Sequence, residues 1–101
     1  MEKNKIIENY RKVAMDILND RLDRFEISIG HLEVKHMAEL GASIMLTRDG
    51  ILQGGSFVKA VVDNDLYGAI ARADTTAIKG VKYFLQLREY VHFNELGNLI
   101  K

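Results

Sequence analysis

Residues 42–74 read ASIMLTRDGILQGGSFVKAVVDNDLYGAIARAD, and the fold prediction depends on this stretch. Residues 42–47 are mostly apolar and include β-branched side chains, a composition that favours a short strand. The pair Asp49-Gly50 then predicts a turn, because glycine tolerates the positive φ that many tight turns need. A loop over residues 51–56 leads into a helix, so the local order is strand, turn, loop and helix.

This helix is expected to run from Phe57 to Ala73, where apolar residues recur at three- and four-residue spacing. Ser56 is the expected N-cap, because its hydroxyl can accept a backbone N–H of the first turn. Asp65 falls within the apolar arc of the helix, and Arg72 falls on the same side. Two interpretations of Asp65 stay open: a buried structural acid satisfied by Arg72 or a backbone N–H, and a general base at a cleft.

The residues before this stretch predict a long helix followed by extended chain. Residues 2–25 carry one apolar stripe, which indicates an amphipathic helix. Apolar and polar residues alternate over 25–29, which predicts a strand. Residues 31–40 are ambiguous between a continued strand and a short helix that ends at Gly41.

The residues after this stretch predict further strands. Residues 75–79 are expected to be extended, and apolar residues alternate along 81–88. Residues 94–97 predict a turn, and 98–101 predict the start of another strand. With a helix on one face of a largely antiparallel sheet, the fold class expected is α+β.

Composition excludes several classes of function. The chain of 101 residues has no cysteine, which excludes thiolate catalysis, disulfides and cysteine-based metal sites. Its 14 basic and 14 acidic residues give no basic face for a nucleic acid. Uncharged runs are far shorter than the roughly 20 residues of a membrane span, and residues 1–12 lack the apolar core of a signal peptide. We therefore expect a cytoplasmic protein with no nucleic-acid or membrane partner.

Gly54 and Gly55 form the second candidate feature. Free N–H groups at the start of a helix can hydrogen-bond a carbonyl oxygen or a developing oxyanion. Most glycine pairs of this kind only permit a tight turn, and the spacing here is not that of a phosphate-binding loop. The spacing of His31, His36 and His92 matches no helical metal pair, so no metal site is expected.

These features together resemble the hotdog superfamily, in the style of acyl-CoA thioesterases. The resemblance covers about residues 42–101 and includes the strand, the loop RDGILQGG, the helix from Ser56 and the segment VKYFLQLREYVHFNELGNLIK. It implies a single domain over residues 1–101, in which an antiparallel sheet wraps a central helix and an extra N-terminal helix spans 2–25. The core would span 26–101 and would lack one or two of the family's strands.

The resemblance also implies a function, the binding of an acyl-CoA or related thioester by a homodimer or higher homo-oligomer. In catalytic members the glycine N–H polarises the thioester carbonyl while a carboxylate about two turns into the helix acts as base or nucleophile. Asp63 is the first candidate for that carboxylate if Gly55 is the equivalent glycine, and Asp65 is the second. The implied substrate-binding residues are Gln53, Gly54, Gly55, Ser56 and Asn64.

Two other functions stay open. Gln53 stands where many members have histidine, and this departure makes a non-catalytic acyl-CoA-binding regulatory protein the alternative to a thioesterase. The third possibility is a small α+β protein-interaction module whose first helix mediates assembly. None of the three needs a cofactor; acyl-CoA would be the substrate or ligand.

Overall fold

The computed structural model describes residues 3–24 and 27–90, and these residues form helices and no strand. In chain order the helices are α1 Lys3–Asp23, α2 His31–Arg48, α3 Ser56–Val62, α4 Leu66–Arg72, α5 Thr75–Lys79 and α6 Val81–Glu89. The described part of the chain is therefore an all-α domain. None of its helices combines the length and apolar character needed to cross a membrane.

The predicted α+β fold is wrong, and so is the resemblance to the hotdog superfamily, which requires a sheet. Residues 42–47 form the second half of α2, while 75–79 and 81–88 lie in α5 and α6. Short apolar runs do not distinguish a strand from a buried helical segment, because both bury side chains on several sides. The expected function as an acyl-CoA thioesterase or acyl-CoA-binding protein was implied by the hotdog fold, and the all-helical structure removes that basis.

Helix α2 lies at the centre of the domain and packs against α1, α3, α5 and α6. A helix covered on several sides is apolar around most of its circumference, so it shows little helical periodicity. Its buried residues are Met37, Ala38, Gly41, Ala42, Ile44, Met45 and Leu46. This central position explains why residues 42–47 read as a strand.

The prediction of a long N-terminal helix is confirmed by α1. Tyr10, Ala14 and Leu18 lie four residues apart on its apolar stripe, and all three are buried. The stripe packs mainly against α2. Residues 27–30 form neither a helix nor a strand, and residues 25–26 lie outside the described part of the chain.

The predicted helix from Phe57 to Ala73 is two short helices. Asn64 has a left-handed φ of 61°, and this conformation separates α3, which ends at Val62, from α4, which begins at Leu66. The expected N-cap is also wrong, because Gly55 occupies that position and Ser56 is the first residue of α3. The tight turn before the loop is confirmed, with Gly50 at a φ of 75°.

One turn and one strand predicted near the C-terminus cannot be compared with the structure. The turn at 94–97 and the strand at 98–101 lie outside the described residues.

Candidate functional site

The predicted site residues are divided between two places on the surface. Gln53 and Asp63 line one cleft, while Asn64 and Asp65 line a separate apolar recess. The two carboxylates proposed as alternatives for catalysis therefore face different surroundings, although only one residue separates them.

The first place, which we call the loop cleft, has a volume of about 510 Å³. It lies beside the turn and loop between α2 and α3, and the ends of α1 and α3 complete its walls. Its lining residues are Lys3, Thr47, Gly50, Ile51, Leu52, Gln53, Lys59, Val62 and Asp63.

Gly54 serves close packing. A Cβ atom at Gly54 would lie 2.4 Å from Val58 Cγ1 and 2.9 Å from Thr47 Oγ1, so any larger residue would displace the loop.

Gly55 is the N-cap of α3, and its extended backbone conformation is one that other residues can adopt. Asp63 is the C-cap at the other end of this seven-residue helix, about 12 Å from Gly55 at 1.5 Å per residue. The exposed Ser56 and Gly55 do not line the loop cleft.

Asp65 has a structural role, and of the two sequence interpretations the structural acid is right about the backbone N–H and wrong about burial and Arg72. It is the N-cap of α4, and its carboxylate accepts the Gly68 N–H at 2.9 Å. It is exposed, and Arg72 donates instead to the Gly68 carbonyl at 3.1 Å. Both side chains close over Gly68, where a Cβ atom would lie 2.1 Å from Asp65 Oδ2 and 2.7 Å from Arg72 Nη1. The polar groups of this segment therefore hold the short helix α4 in place.

The second place is the region around α4. It contains the apolar recess and, beside it, an exposed apolar surface that we call the α4 surface. It consists of Leu66, Tyr67 and Ile70, whose exposed fractions are 51%, 79% and 47%. Within the described residues, the other large apolar side chains with comparable exposure lie singly on other segments: Leu32, Ile78 and Tyr90. Three exposed apolar side chains on one helical turn are unusual for a monomeric protein surface and are typical of a contact site.

An apolar recess adjoins the α4 surface, because Leu66 belongs to both. The recess lies between α6 and the pair α3 and α4, and its walls are almost entirely apolar. Its lining residues are Phe57, Ala60, Val61, Asn64, Asp65, Leu66, Ala69, Val81, Phe84 and Leu85.

Sequence reasoning missed the α4 surface because it assigned every apolar residue at helical spacing to the core. Leu66 and Ile70 fit the helical period, and Tyr67 stands outside that stripe. The signal that was available is the Asn64-Asp65 pair, since these residues favour caps and turns and can end one helix and begin another. A restarted helix has a new orientation, so residues in phase with α3 need not face the core.

No metal centre is indicated in the part of the chain that the structure describes. No group of three or more histidine, aspartate or glutamate side chains is arranged there to hold an ion. His36 Nε2 lies 3.2 Å from Asp74 Oδ2 in an exposed pair that joins α2 to α5.

Comparisons with protein-family models, with curated proteins and with solved structures found no match. The functional argument therefore depends on the surfaces described above.

Proposed function

We propose that this chain is a small helical protein-interaction domain that self-associates through the α4 surface. The observation that carries the proposal is the exposure of Leu66, Tyr67 and Ile70 on one turn of one helix. Removing such a surface from water favours association, and part of this gain offsets the translational and rotational freedom that the two copies lose.

A second copy of the chain is the partner that the charges favour. Leu66, Tyr67, Ile70 and the exposed Ala71 carry no charge, so two copies of this face can meet without desolvating an ion. The whole chain has a formal net charge of zero, with 14 basic and 14 acidic residues, so there is little long-range repulsion between copies. A two-fold contact that uses the same patch on both copies is the commonest form of self-association.

The assembly surface differs from the one expected from the sequence. The apolar stripe of α1 was the candidate for an interaction module, but Tyr10, Ala14 and Leu18 are buried within the domain. Helix α4 instead presents apolar side chains that no described element covers. The proposal therefore moves from α1 to α4.

Sedimentation velocity over micromolar to submillimolar concentrations tests the proposal. We expect the wild-type chain to form dimers as concentration rises. Tyr67→Glu should weaken dimerisation at least about tenfold, because it places a carboxylate in an apolar contact. Circular dichroism would show that the variant keeps its helices, since Tyr67 is exposed in the monomer.

Leu32→Glu is the matched control, because it makes a similar change at an apolar residue that is 95% exposed on α2. It should dimerise like the wild type. A wild-type chain that stays monomeric throughout, or a Tyr67→Glu variant that dimerises as the control does, would overturn the proposal.

A further inference from the structure

The loop cleft combines an apolar wall with unpaired positive charge. Ile51, Leu52 and Val62 form the apolar part, and each is half-buried. A volume of about 510 Å³ is within the usual range for small-ligand sites, roughly 300–1,000 Å³. The cleft therefore has room for a short apolar group.

Two lysines from different helices reach the same cleft. Lys3 begins α1 and Lys59 lies on α3, so the fold brings together residues that are far apart in the sequence. Neither ammonium forms an ion pair or a hydrogen bond with any side chain in the described ranges 3–24 and 27–90. Among the lining residues that the structure describes, Asp63 is the single acidic one, so these described side chains carry a net positive charge.

The wall of the cleft also holds a polar atom with no hydrogen-bond partner in the described residues. Thr47 Oγ1 is inaccessible to solvent and unpaired. Nearly all buried polar atoms of native proteins are paired, and this exception lies in a tightly packed wall, where a Cβ atom at Gly54 would lie 2.9 Å from Thr47 Oγ1. Because the hydroxyl is inaccessible, the polar groups of the cleft that a ligand can reach include Lys3 and Lys59 and exclude Thr47 Oγ1.

We infer that the loop cleft binds a small organic anion with a short apolar body, such as an alkyl carboxylate. The anionic group lies between Lys3 and Lys59, and the alkyl body packs against Ile51, Leu52 and Val62. Gln53 and Asp63 can accept hydrogen bonds from a hydroxyl or amine on the ligand. This site shares no lining residue with the α4 surface, so the inference is independent of self-association.

A titration with three probes, followed by amide-proton NMR, tests the inference on the full chain. Octanoate carries both the anion and the apolar body, octanol lacks the anion, and inorganic phosphate lacks the body. We expect octanoate, below its micellar concentration, to bind saturably and to shift the amides of residues 50–53 and Val62. Octanol should bind at least about fivefold more weakly because it loses the exposed charge pairs with the lysines. Phosphate should also bind at least about fivefold more weakly, because it buries no alkyl group against the apolar wall.

Paired lysine variants test the role of the two ammonium groups. The double variant Lys3→Gln/Lys59→Gln should bind octanoate about tenfold more weakly, since each exposed pair contributes up to about fivefold. The control Lys5→Gln/Lys12→Gln removes the same charge from exposed positions on α1 outside the cleft and should bind normally. Equal binding by wild type and the Lys3/Lys59 variant, or no saturable octanoate binding, would overturn the inference.

Tyr67→Glu distinguishes the loop cleft from the α4 surface as the place where the probe binds. Octanoate affinity should be unchanged in this variant, because Tyr67 does not line the cleft. Weaker octanoate binding by Tyr67→Glu, with the largest shifts on α4, would also overturn the inference.

Discussion

At the scale of single residues, Gly41 sets how closely α2 and α6 approach. A Cβ atom there would lie 2.5 Å from both Tyr83 Oη and Leu87 Cδ1. The close approach lets the buried Tyr83 hydroxyl donate to the Ala14 carbonyl at 2.7 Å, which joins α6 to α1 past the edge of α2. Burial also raises the pKa of Tyr83 above its usual range, so the hydroxyl keeps its proton.

Replacement of this glycine tests the packing argument. Alanine is favoured over glycine in a helix by about 1 kcal/mol, but overpacking a core costs about 1–3 kcal/mol. We expect Gly41→Ala to lower the free energy of unfolding by up to about 2 kcal/mol net, measured by urea denaturation, with the close contacts to both Tyr83 and Leu87 placing the loss at the upper end. Gly30→Ala is the control, because nothing lies within 4 Å of its Cβ position, and it should change stability by about 0.5 kcal/mol or less. Equal effects of the two substitutions would contradict the argument.

At the scale of elements, the short helix α5 is held to α2 mainly by polar contacts. Glu33 accepts a hydrogen bond from the Thr76 hydroxyl at 2.7 Å and from Lys79 Nζ at 3.3 Å. Asp74 caps α5 by accepting the Ala77 N–H at 2.7 Å and also pairs with His36. Ala77 is the one buried residue of this five-residue helix. The position of α5 therefore depends mainly on the carboxylates of Glu33 and Asp74.

These carboxylates predict a pH dependence. The Thr76 hydroxyl holds the pKa of Glu33 below its ordinary 4.5, and the Ala77 N–H holds the pKa of Asp74 below its ordinary 3.8. Because both groups bind protons less tightly in the folded state, their stabilisation is complete above the ordinary pKa values. It is lost as pH falls from those values through the lower pKa values of the folded state. We expect the urea midpoint to decline below about pH 4.5, and Glu33→Gln with Asp74→Asn to flatten that decline. An unchanged slope in the double variant would contradict this assignment.

The division of residues 57–73 into α3 and α4 is also decided at this scale. Asn64 adopts a left-handed φ of 61°, and Asp65 caps the next helix through the Gly68 N–H. Aspartate and asparagine are the residues that most readily cap or turn, so the break has a local cause in the sequence. The new direction of α4 exposes Leu66, Tyr67 and Ile70, and this consequence depends on packing.

At the scale of the whole molecule, one polar network joins three helices. Arg48 donates to both carboxylate oxygens of Asp49, at 2.8 and 2.9 Å, and to the carbonyls at the end of α6, including Leu87 at 2.9 Å. The Tyr10 hydroxyl donates to Asp49 Oδ2 at 2.7 Å, which brings in α1. Burial and this carboxylate together raise the pKa of Tyr10 above its usual range.

Loss of the central cation should weaken the whole domain. Arg48→Met removes the Arg48 guanidinium from the Asp49 carboxylate and from the carbonyls at the end of α6, and the Arg48 and Asp49 side chains are only 20% and 13% exposed. We expect the free energy of unfolding to fall by about 2–3 kcal/mol, measured by denaturant titration. Arg24→Met is the matched control, because its pair with Asp20 is largely exposed, and it should cost less than about 1 kcal/mol. Similar losses in the two variants would show that the network contributes little.

Local signals in the sequence predicted some elements of this fold correctly. The stripe that contains Tyr10, Ala14 and Leu18 predicted α1, and Asp49-Gly50 predicted the turn with its positive φ. In the candidate site, Gln53 and Asp63 were singled out for different roles and do line one cleft. Lys3 and Lys59 were not singled out, because only the fold, in which α1 and α3 both pack on α2, brings them to it.

What the sequence determined by itself is the set of features that neighbouring residues control: α1 and the tight turn at Gly50. The tertiary structure decided that residues 42–47, 75–79 and 81–88 are helical. It decided as well which apolar residues face water. The physical reason is that an apolar composition indicates that a segment is buried but does not indicate whether the segment is a helix or a strand. A central helix and a covered strand can therefore have the same composition.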